Sequence, residues 1–350
     1  MILSNAELQK IYWGALRFEE TEDGYLQGFQ YMKEQEDYFE RVSDFWFERC
    51  TASTAKTLEF KTEAEAFSFE YRIIWKGSED SVELYVDGVV TDIRYIKDME
   101  EEGTLSFTLP AGEKTILLYL PADATMQIKN FEIDDYRCVT KDIKVLWLGD
   151  SITQGFGPLR SGHTYVSVAN RLLNYDIINQ GIGGYVYDKN ILMQMGDYKP
   201  DKIIIAMGTN QFGTETMQDI EEYYERLKAI YADTPVLVVT PIWRGDVENG
   251  EPTLISFCNK LKAICEKYSN ITIVDGFKLV PHLEEYFLDK LHPNCLGGEV
   301  YGRNLVLEIE KAGYPVKYHH PEVAASGQFE IEPKLGQMSK SGTTWTFTYD

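Results

Sequence analysis

The chain has 350 residues, 44% of them hydrophobic, and a formal net charge of −22 from 34 basic and 56 acidic side chains. That length accommodates two domains with at least one sizeable core, while the negative field repels nucleic-acid phosphates and anionic membranes and points to a neutral or cationic ligand. No apolar run approaches the roughly 18 residues of a membrane span, and the first ten residues show no basic segment leading into an apolar one, so no secretory signal is visible.

Residues 1–140, which carry 14 Lys/Arg against 29 Asp/Glu, read as an all-β domain. Aromatic and β-branched runs predict strands at 11–16, 45–47, 67–75, 82–86, 105–109, 115–120 and 126–133. The alternation is clear where Phe67, Phe69 and Tyr71 face one way and Ser68, Glu70 and Arg72 the other. Turn signals at Asp87-Gly88, Pro110-Ala-Gly112 and Pro121-Ala-Asp123 separate them, and residues 100–103 read as a charged loop. Many short strands at this spacing predict a β-sandwich, jelly-roll-like.

From Lys141 the rhythm changes. Apolar strands at 143–148, 177–178, 203–207, 236–239 and 271–274 alternate with helical periods. One helix opens at Thr216, with Asp219 three residues on, and presents Met217, Ile220, Tyr224, Leu227 and Tyr231 on one face. A second runs from Thr253 with Leu254, Phe257, Leu261, Ile264 and Tyr268 inward, and a last one with Tyr301, Leu305 and Ile309 stops at Gly313. Five buried strands separated by helices require a parallel sheet covered on both faces, an α/β domain over 141–320. In residues 321–350, 328–332 alternates and Trp345, Phe347 and Tyr349 point one way, which predicts a terminal β-hairpin packing on the N-terminal domain or the cleft.

The first α/β strand stops at Gly149 and delivers Asp150, Ser151 and Thr153 at its C-terminal end, the edge where open α/β sheets bind ligands. Ser151 is the first candidate nucleophile, and a serine needs a base, an orienter for that base and oxyanion donors. Among five histidines, His292 stands in Asp289-Lys-Leu-His292-Pro, where one tight turn can set the Asp289 carboxylate against the imidazole. His163, His319 and His320 read as structural or surface residues. Two further strands end in Asn179-Gln-Gly-Ile-Gly-Gly184, whose glycines let a backbone N–H approach a substrate closely, and in Gly208-Thr-Asn210-Gln211, which offers a side-chain amide. Tyr185, Tyr187, Trp243 and Arg244 follow strand ends and are candidates for the cleft mouth. No motif asks for a metal or cofactor: H-E-x-x-H is absent, and Cys50, Cys138, Cys258, Cys265 and Cys295 form no C-x-x-C pair. They read as reduced thiols of a cytoplasmic protein, although a secreted chain trimmed of its signal would look the same.

These blocks, in this order, resemble the SGNH, or GDSL, hydrolase superfamily over roughly residues 141–315. The resemblance implies a three-layer α/β/α flavodoxin-like fold. It also implies Ser151 as nucleophile, His292 as general base and then acid, and Asp289 as its orienter. The oxyanion hole it implies comprises the Ser151 and Gly184 backbone N–H groups and the Asn210 amide. Gln211 stands where the family often has Asp, a change that bears on subfamily rather than on the reacting groups. A β-sandwich ahead of such a domain is similar to two-domain carbohydrate esterases and GDSL-type acyltransferases. The expected function is a serine esterase acting on a small acyl ester, acetyl, of a carbohydrate, with no nucleic-acid or membrane partner. The alternatives are an acyltransferase using the same residues and a glycan-binding protein with an inert hydrolase domain.

Overall fold

The computed structural model describes residues 1–213, 217–316, 338–341 and 344–347. The N-terminal part contains, in chain order, α1 (Asn5–Leu8), β1 (Tyr12–Trp13), β2 (Arg17–Glu20), β3 (Leu26–Phe29), α2 (Lys33–Val42) and α3 (Asp44–Cys50). It continues through β4 (Thr57–Thr62), β5 (Ala66–Trp75), β6 (Ser81–Val86), β7 (Val89–Tyr95), β8 (Glu102–Thr108), β9 (Lys114–Tyr119), β10 (Thr125–Ile133) and β11 (Arg137–Cys138). One sheet is ordered β1-β4-β9-β6-β7, with β11 also on β4, and the other β2-β3-β10-β5-β8; every pairing is antiparallel. Between them Phe60, Phe67, Phe69, Phe107 and Phe131 pack with Ile116 and Leu118, and the rings of Phe67 and Phe107 stack at 4.9 Å. The two-residue turn from β6 to β7 uses Asp87 (φ 50°) and Gly88 (φ 82°), the left-handed pair whose twist matches a tight hairpin.

Three stretches depart from the sequence expectation. Of the strand expected at 11–16 only Tyr12–Trp13 forms, because Gly14 takes a left-handed conformation (φ 86°) and turns the chain. Phe45–Phe47 is not a strand but lies inside α3, whose start is capped by Ser43, its Oγ accepting from Trp46 N at 3.3 Å. Three consecutive aromatics carry no period of their own, so the cap and the packing of Trp46 and Phe47 against the α/β core decide the outcome. Residues 102–103 are strand rather than loop: Glu102 and Gly103 pair with Arg72 and Tyr71 of β5, and Arg72 Nε donates to Glu102 at 2.6 Å. Helix α2 and strands β2, β3, β4 and β7 lie outside the stretches assigned from the sequence, although β4 alternates Leu58 and Phe60 with Glu59 and Lys61.

The second part holds β12 (Lys144–Gly149), α4 (Ser151–Gln154), α5 (Tyr165–Leu173), β13 (Asp176–Gly181), β14 (Lys202–Ala206) and α6 (Met217–Ile230). After these come β15 (Val236–Val239), α7 (Glu251–Cys265), β16 (Ile271–Val274) and α8 (Cys295–Lys311). Its sheet is wholly parallel, ordered β13-β12-β14-β15-β16, the 2-1-3-4-5 winding of flavodoxin-like folds. Alternate residues go to opposite layers. Leu146, Ile203, Ile205 and Val238 meet Ile220, Tyr223, Leu227 and Leu261, whereas Val145, Trp147, Ile204 and Leu237 meet Tyr165, Ala169, Tyr301 and Leu305. Tyr31 and Phe39 of the N-terminal part join the first of these layers. The Thr216 cap lies outside the described residues. So does the packing of the tail 321–350, of which β17 (Met338–Ser341) and β18 (Thr344–Phe347) form an antiparallel pair.

Polar side chains, mostly buried, join the two parts. Glu83 of β6, fully buried, takes two 2.8 Å bonds from Arg160 Nε and Nη2 and further bonds from Ser81 Oγ and Gly162 N. Burial alone would raise the Glu83 carboxyl, but the Arg160 bonds outweigh it and hold the group below its ordinary value. Removing one partner strands the other charge in the interior. Arg160→Met is therefore expected to destabilise the chain by about 3 kcal/mol, read as a lowered urea midpoint at pH 7.

Candidate active site

The turn after β12 is dictated by lack of space. A Cβ on Gly149 would lie 2.0 Å from Thr153 Oγ1 and 2.6 Å from the Ala206 carbonyl oxygen, so the chain turns there without a side chain. Asp150 caps α4 by accepting from Ile152 N at 3.1 Å, and Gly155 (φ 115°) ends that helix after one turn. Thr153 Oγ1 donates to Ala206 O at 2.9 Å and pairs with Tyr165 Oη at 2.9 Å. Of the three polar residues at this strand end, Asp150 and Thr153 are spent on the turn and Ser151 faces the cleft.

Opposite it, the loop before α8 folds onto its own carboxylate. Asp289 Oδ1 accepts from His292 N at 2.8 Å and Leu291 N at 3.1 Å, while Asp289 Oδ2 lies 2.8 Å from His292 Nδ1. His292 Nε2 in turn lies 2.8 Å from Ser151 Oγ. Burial pushes the Asp289 carboxyl up, but the bonds from the His292 backbone and ring outweigh it, and the group sits below its ordinary value. Phe156 holds the imidazole edge-on at 4.6 Å. The following Gly157 (φ 123°) leaves no room for a side chain, because a Cβ would lie 2.4 Å from Pro293 O.

The donor wall comes from β13 and β14. Gly181 N is already bonded to Asn179 Oδ1 at 2.8 Å, and Gly183 N to Gln154 Oε1 at 2.6 Å. Gly184 N, in a left-handed conformation (φ 68°), has no bond among the described residues and lies beside the cavity. Asn210 Nδ2 donates one hydrogen to Tyr185 O at 2.9 Å and keeps the other. Gln211, at the family's Asp position, accepts from Tyr187 N at 2.7 Å and so braces the loop that follows Gly184.

A cavity of about 460 Å³ contains Ser151, His292, Gly183, Gly184 and Asn210 on one side. Its other side is Phe45, Arg49, Trp75, Gly77, Ser78 and Asp123, all from the N-terminal part. A larger groove of about 650 Å³, between β4, β9 and α5, contains none of the Ser151 cluster. Tyr185, Trp243 and Arg244, expected at the cleft mouth, do not line the Ser151 cavity. Tyr185 is 4% exposed and packs edge-on against Trp46 and Phe39 at 5.0 and 5.9 Å. Trp243 stacks on His282 at 5.7 Å and donates to Glu251, and Arg244 bonds to Asp246 and to Thr209 O at 2.6 Å, behind Asn210. Phe45, Arg49, Trp75 and Asp123 escape sequence reading because they lie 28 to 106 positions ahead of Ser151, in segments without a motif. The dense aromatics at 45–47 were the only visible signal.

Residues 147–300 match the GDSL-like Lipase/Acylhydrolase family, a span that includes Ser151, Gly184, Asn210, Asp289 and His292. Residues 147–300 thus form a GDSL-like lipase/acylhydrolase domain, which supports a hydrolytic enzyme of the SGNH type. No curated protein matches its sequence. In fold it is similar to the salicylyl-acyltransferase SsfX3 from a tetracycline biosynthetic pathway, with a TM-score of 0.71, 17% identity and coverage of 87% of this chain and 96% of that one. It is also similar to a family two carbohydrate esterase from Clostridium thermocellum solved with cellohexaose (TM-score 0.60, 16% identity, 75% and 94% covered). An acetyl xylan esterase, Est2A, from Butyrivibrio proteoclasticus shares the fold as well (0.54, 14%, 74% and 90%). Among the described residues no helix is long and apolar enough to cross a membrane.

Asp150 is 2% exposed, and burial pushes its carboxyl from the ordinary 3.8 up to about 7, against the Ile152 bond and the charge of Arg244. Between those values the folded chain keeps a proton that the unfolded chain has released. The resulting stabilisation is complete below 3.8 and is lost as pH rises through 7. Asp80, also buried and raised to about 7, adds a slope of the same sign. Asp150→Asn, which keeps the cap acceptor, is expected to flatten part of this decline; the difference between wild-type and variant urea midpoints across that window measures it.

Proposed function

We propose that the protein is a serine esterase that removes a small acyl group, acetyl, from a carbohydrate. The observation that carries the reading is the continuous relay from Ser151 Oγ through His292 to Asp289, two contacts of 2.8 Å each, opening on a cavity. In this reading Ser151 attacks the ester carbonyl as His292 Nε2 takes its proton. Asp289, held low and hence ionised at neutral pH, orients the ring and stabilises the imidazolium. The carbonyl oxygen becomes an oxyanion facing the Ser151 and Gly184 N–H groups and the remaining Asn210 N–H. His292 then protonates the departing alcohol and activates water against the acyl-enzyme. A cavity of about 460 Å³ suits a short acyl group and one sugar ring better than a long aliphatic chain. The two esterase neighbours, one named for acetyl xylan and one solved with cellohexaose, support the substrate class. A complete relay argues against an inert hydrolase domain.

Acyl transfer is the second reading. Phe45, Trp75 and Phe156 surround Ser151 with apolar surface that would disfavour water at the acyl-enzyme, and the acyltransferase neighbour shares the layout. The readings separate when acetate release from acetylated xylo-oligosaccharides is compared with transfer to an added alcohol. Ser151→Ala is expected to abolish turnover of an aryl acetate. Asn210→Ala should lower kcat by about 10²- to 10³-fold, with the melting temperature lowered by only a few degrees for the lost bond to Tyr185 O. Full esterase activity in Ser151→Ala would refute the assignment.

A further inference from the structure

An ester has two ends, and the relay accounts only for the carbonyl between them. The rest of the cavity is built by the N-terminal part, and its chemistry is specific. The Arg49 guanidinium carbon lies 3.5 Å from the centroid of the Phe45 ring and 5.2 Å from that of Trp75, so the group is held among aromatic surfaces. Nη1 donates to Phe45 O at 3.1 Å and to Glu48 at 3.4 Å; Nε and Nη2 carry no hydrogen bond among the described residues. The Arg49 stem passes the donor wall, since a Cβ on Gly183 would lie 3.1 Å from its Cδ and 3.4 Å from its Nε. Across the cavity stands Asp123, 5% exposed, whose oxygens accept from Ser78 N at 3.1 Å and from Gln154 Nε2, each retaining a lone pair.

We infer that Arg49, Asp123 and Trp75 form a subsite for the alcohol half of the substrate, a neutral ring bearing adjacent hydroxyl groups. The inference rests on the esterase reading and deepens it. The free N–H groups of Arg49 donate to hydroxyl oxygens, Asp123 accepts a hydroxyl hydrogen, and Trp75 and Phe45 cover the apolar C–H faces of the ring. Arg49 is already paired with Glu48, and Asp123 adds a second carboxyl, so the subsite holds no unpaired positive charge for a uronate or phosphate and favours a neutral guest. The chain's net charge of −22 acts in the same direction. Arg49 and Trp75 are thus specificity-determining residues contributed by the β-rich part to chemistry performed by the α/β part.

The test compares kcat/KM for acetylated xylo-oligosaccharides with kcat/KM for 4-nitrophenyl acetate, whose leaving group has no hydroxyls. The wild type, Arg49→Met, Arg49→Lys and Trp75→Leu are each measured. The ratio of sugar ester to aryl ester should fall by about 10-fold or more in Arg49→Met, the scale of a lost hydrogen bond to a charged group, mainly through KM. Arg49→Lys should recover part of it, and Trp75→Leu should lower the ratio independently, which keeps the test valid if one variant folds poorly. A ratio that stays constant in both Arg49→Met and Trp75→Leu overturns the subsite while leaving the esterase intact. Wild-type turnover of the aryl ester with none of any sugar ester overturns it too, in favour of an aromatic guest. Wild-type activity on neither substrate refutes the esterase reading itself, and the subsite with it.

Discussion

The structure depends on the crowding at the C-terminal end of the central strand β12. With Thr153 folded back onto the carbonyl of Ala206 in the neighbouring strand, no atom fits at Gly149 beyond its hydrogens. The chain must turn there, and the next residue but one is presented at the junction of β12 with β13 and β14. Asn179 ties the arrangement together, its Nδ2 donating to Thr153 O at 2.8 Å and its Oδ1 accepting from Gly181 N. One network of short polar contacts thereby sets both the serine and the first part of the donor wall. This rigidity matters because a reacting group displaced by about 1 Å can lose on the order of a hundredfold in rate.

The N-terminal part is joined to this frame both by an apolar seam, where Tyr31, Phe39, Trp46 and Phe47 pack against the α/β core, and by buried polar groups. Asp80 Oδ2 accepts from Ala122 N and Asp123 N of the β9–β10 loop and from Ser161 Oγ of the α/β part, and Gln154 reaches from the nucleophile helix to Asp123. On the other side Gln180 Nε2 donates to Gln30 O, and Gln35 Nε2 to Ile191 O. Such contacts are directional, so they define one relative placement, and each is costly to leave unpaired. The consequence for function is that Gln154 touches both halves of the cavity wall, accepting from Gly183 N while donating to Asp123.

Buried charge is a recurring feature. Lys56 is fully buried, donates to Gln30 Oε1 and Ala52 O, and is pushed by burial down to about 7, with Glu36 opposing the shift. Asp80 and Asp150 are pushed the other way by the same desolvation. Asp289 differs from them because it is partly exposed and receives bonds from the residues it orients, so it alone of these three carboxyls is held low. Two Asp residues near the serine thus carry opposite protonation tendencies, set by solvent access and donors and not by residue type.

Much of the α/β half was legible in the sequence. Its five strands are short apolar runs, and its polar blocks fall at strand ends in a fixed order, so the winding and the candidates Ser151, Gly184, Asn210, Asp289 and His292 follow from local pattern and resemblance. Within the β-rich half, runs with strict alternation such as 67–75 were equally clear, because period-two burial writes itself into residue type. Only the tertiary structure decided that Phe45–Phe47 belongs to a helix, that Tyr185, Trp243 and Arg244 turn away from the cavity, and that Arg49, Trp75 and Asp123 turn towards it. The reason is physical: local sequence determines period and turn, whereas a cavity wall assembled from α3, β5 and the β9–β10 loop exists only once two separately patterned halves have docked.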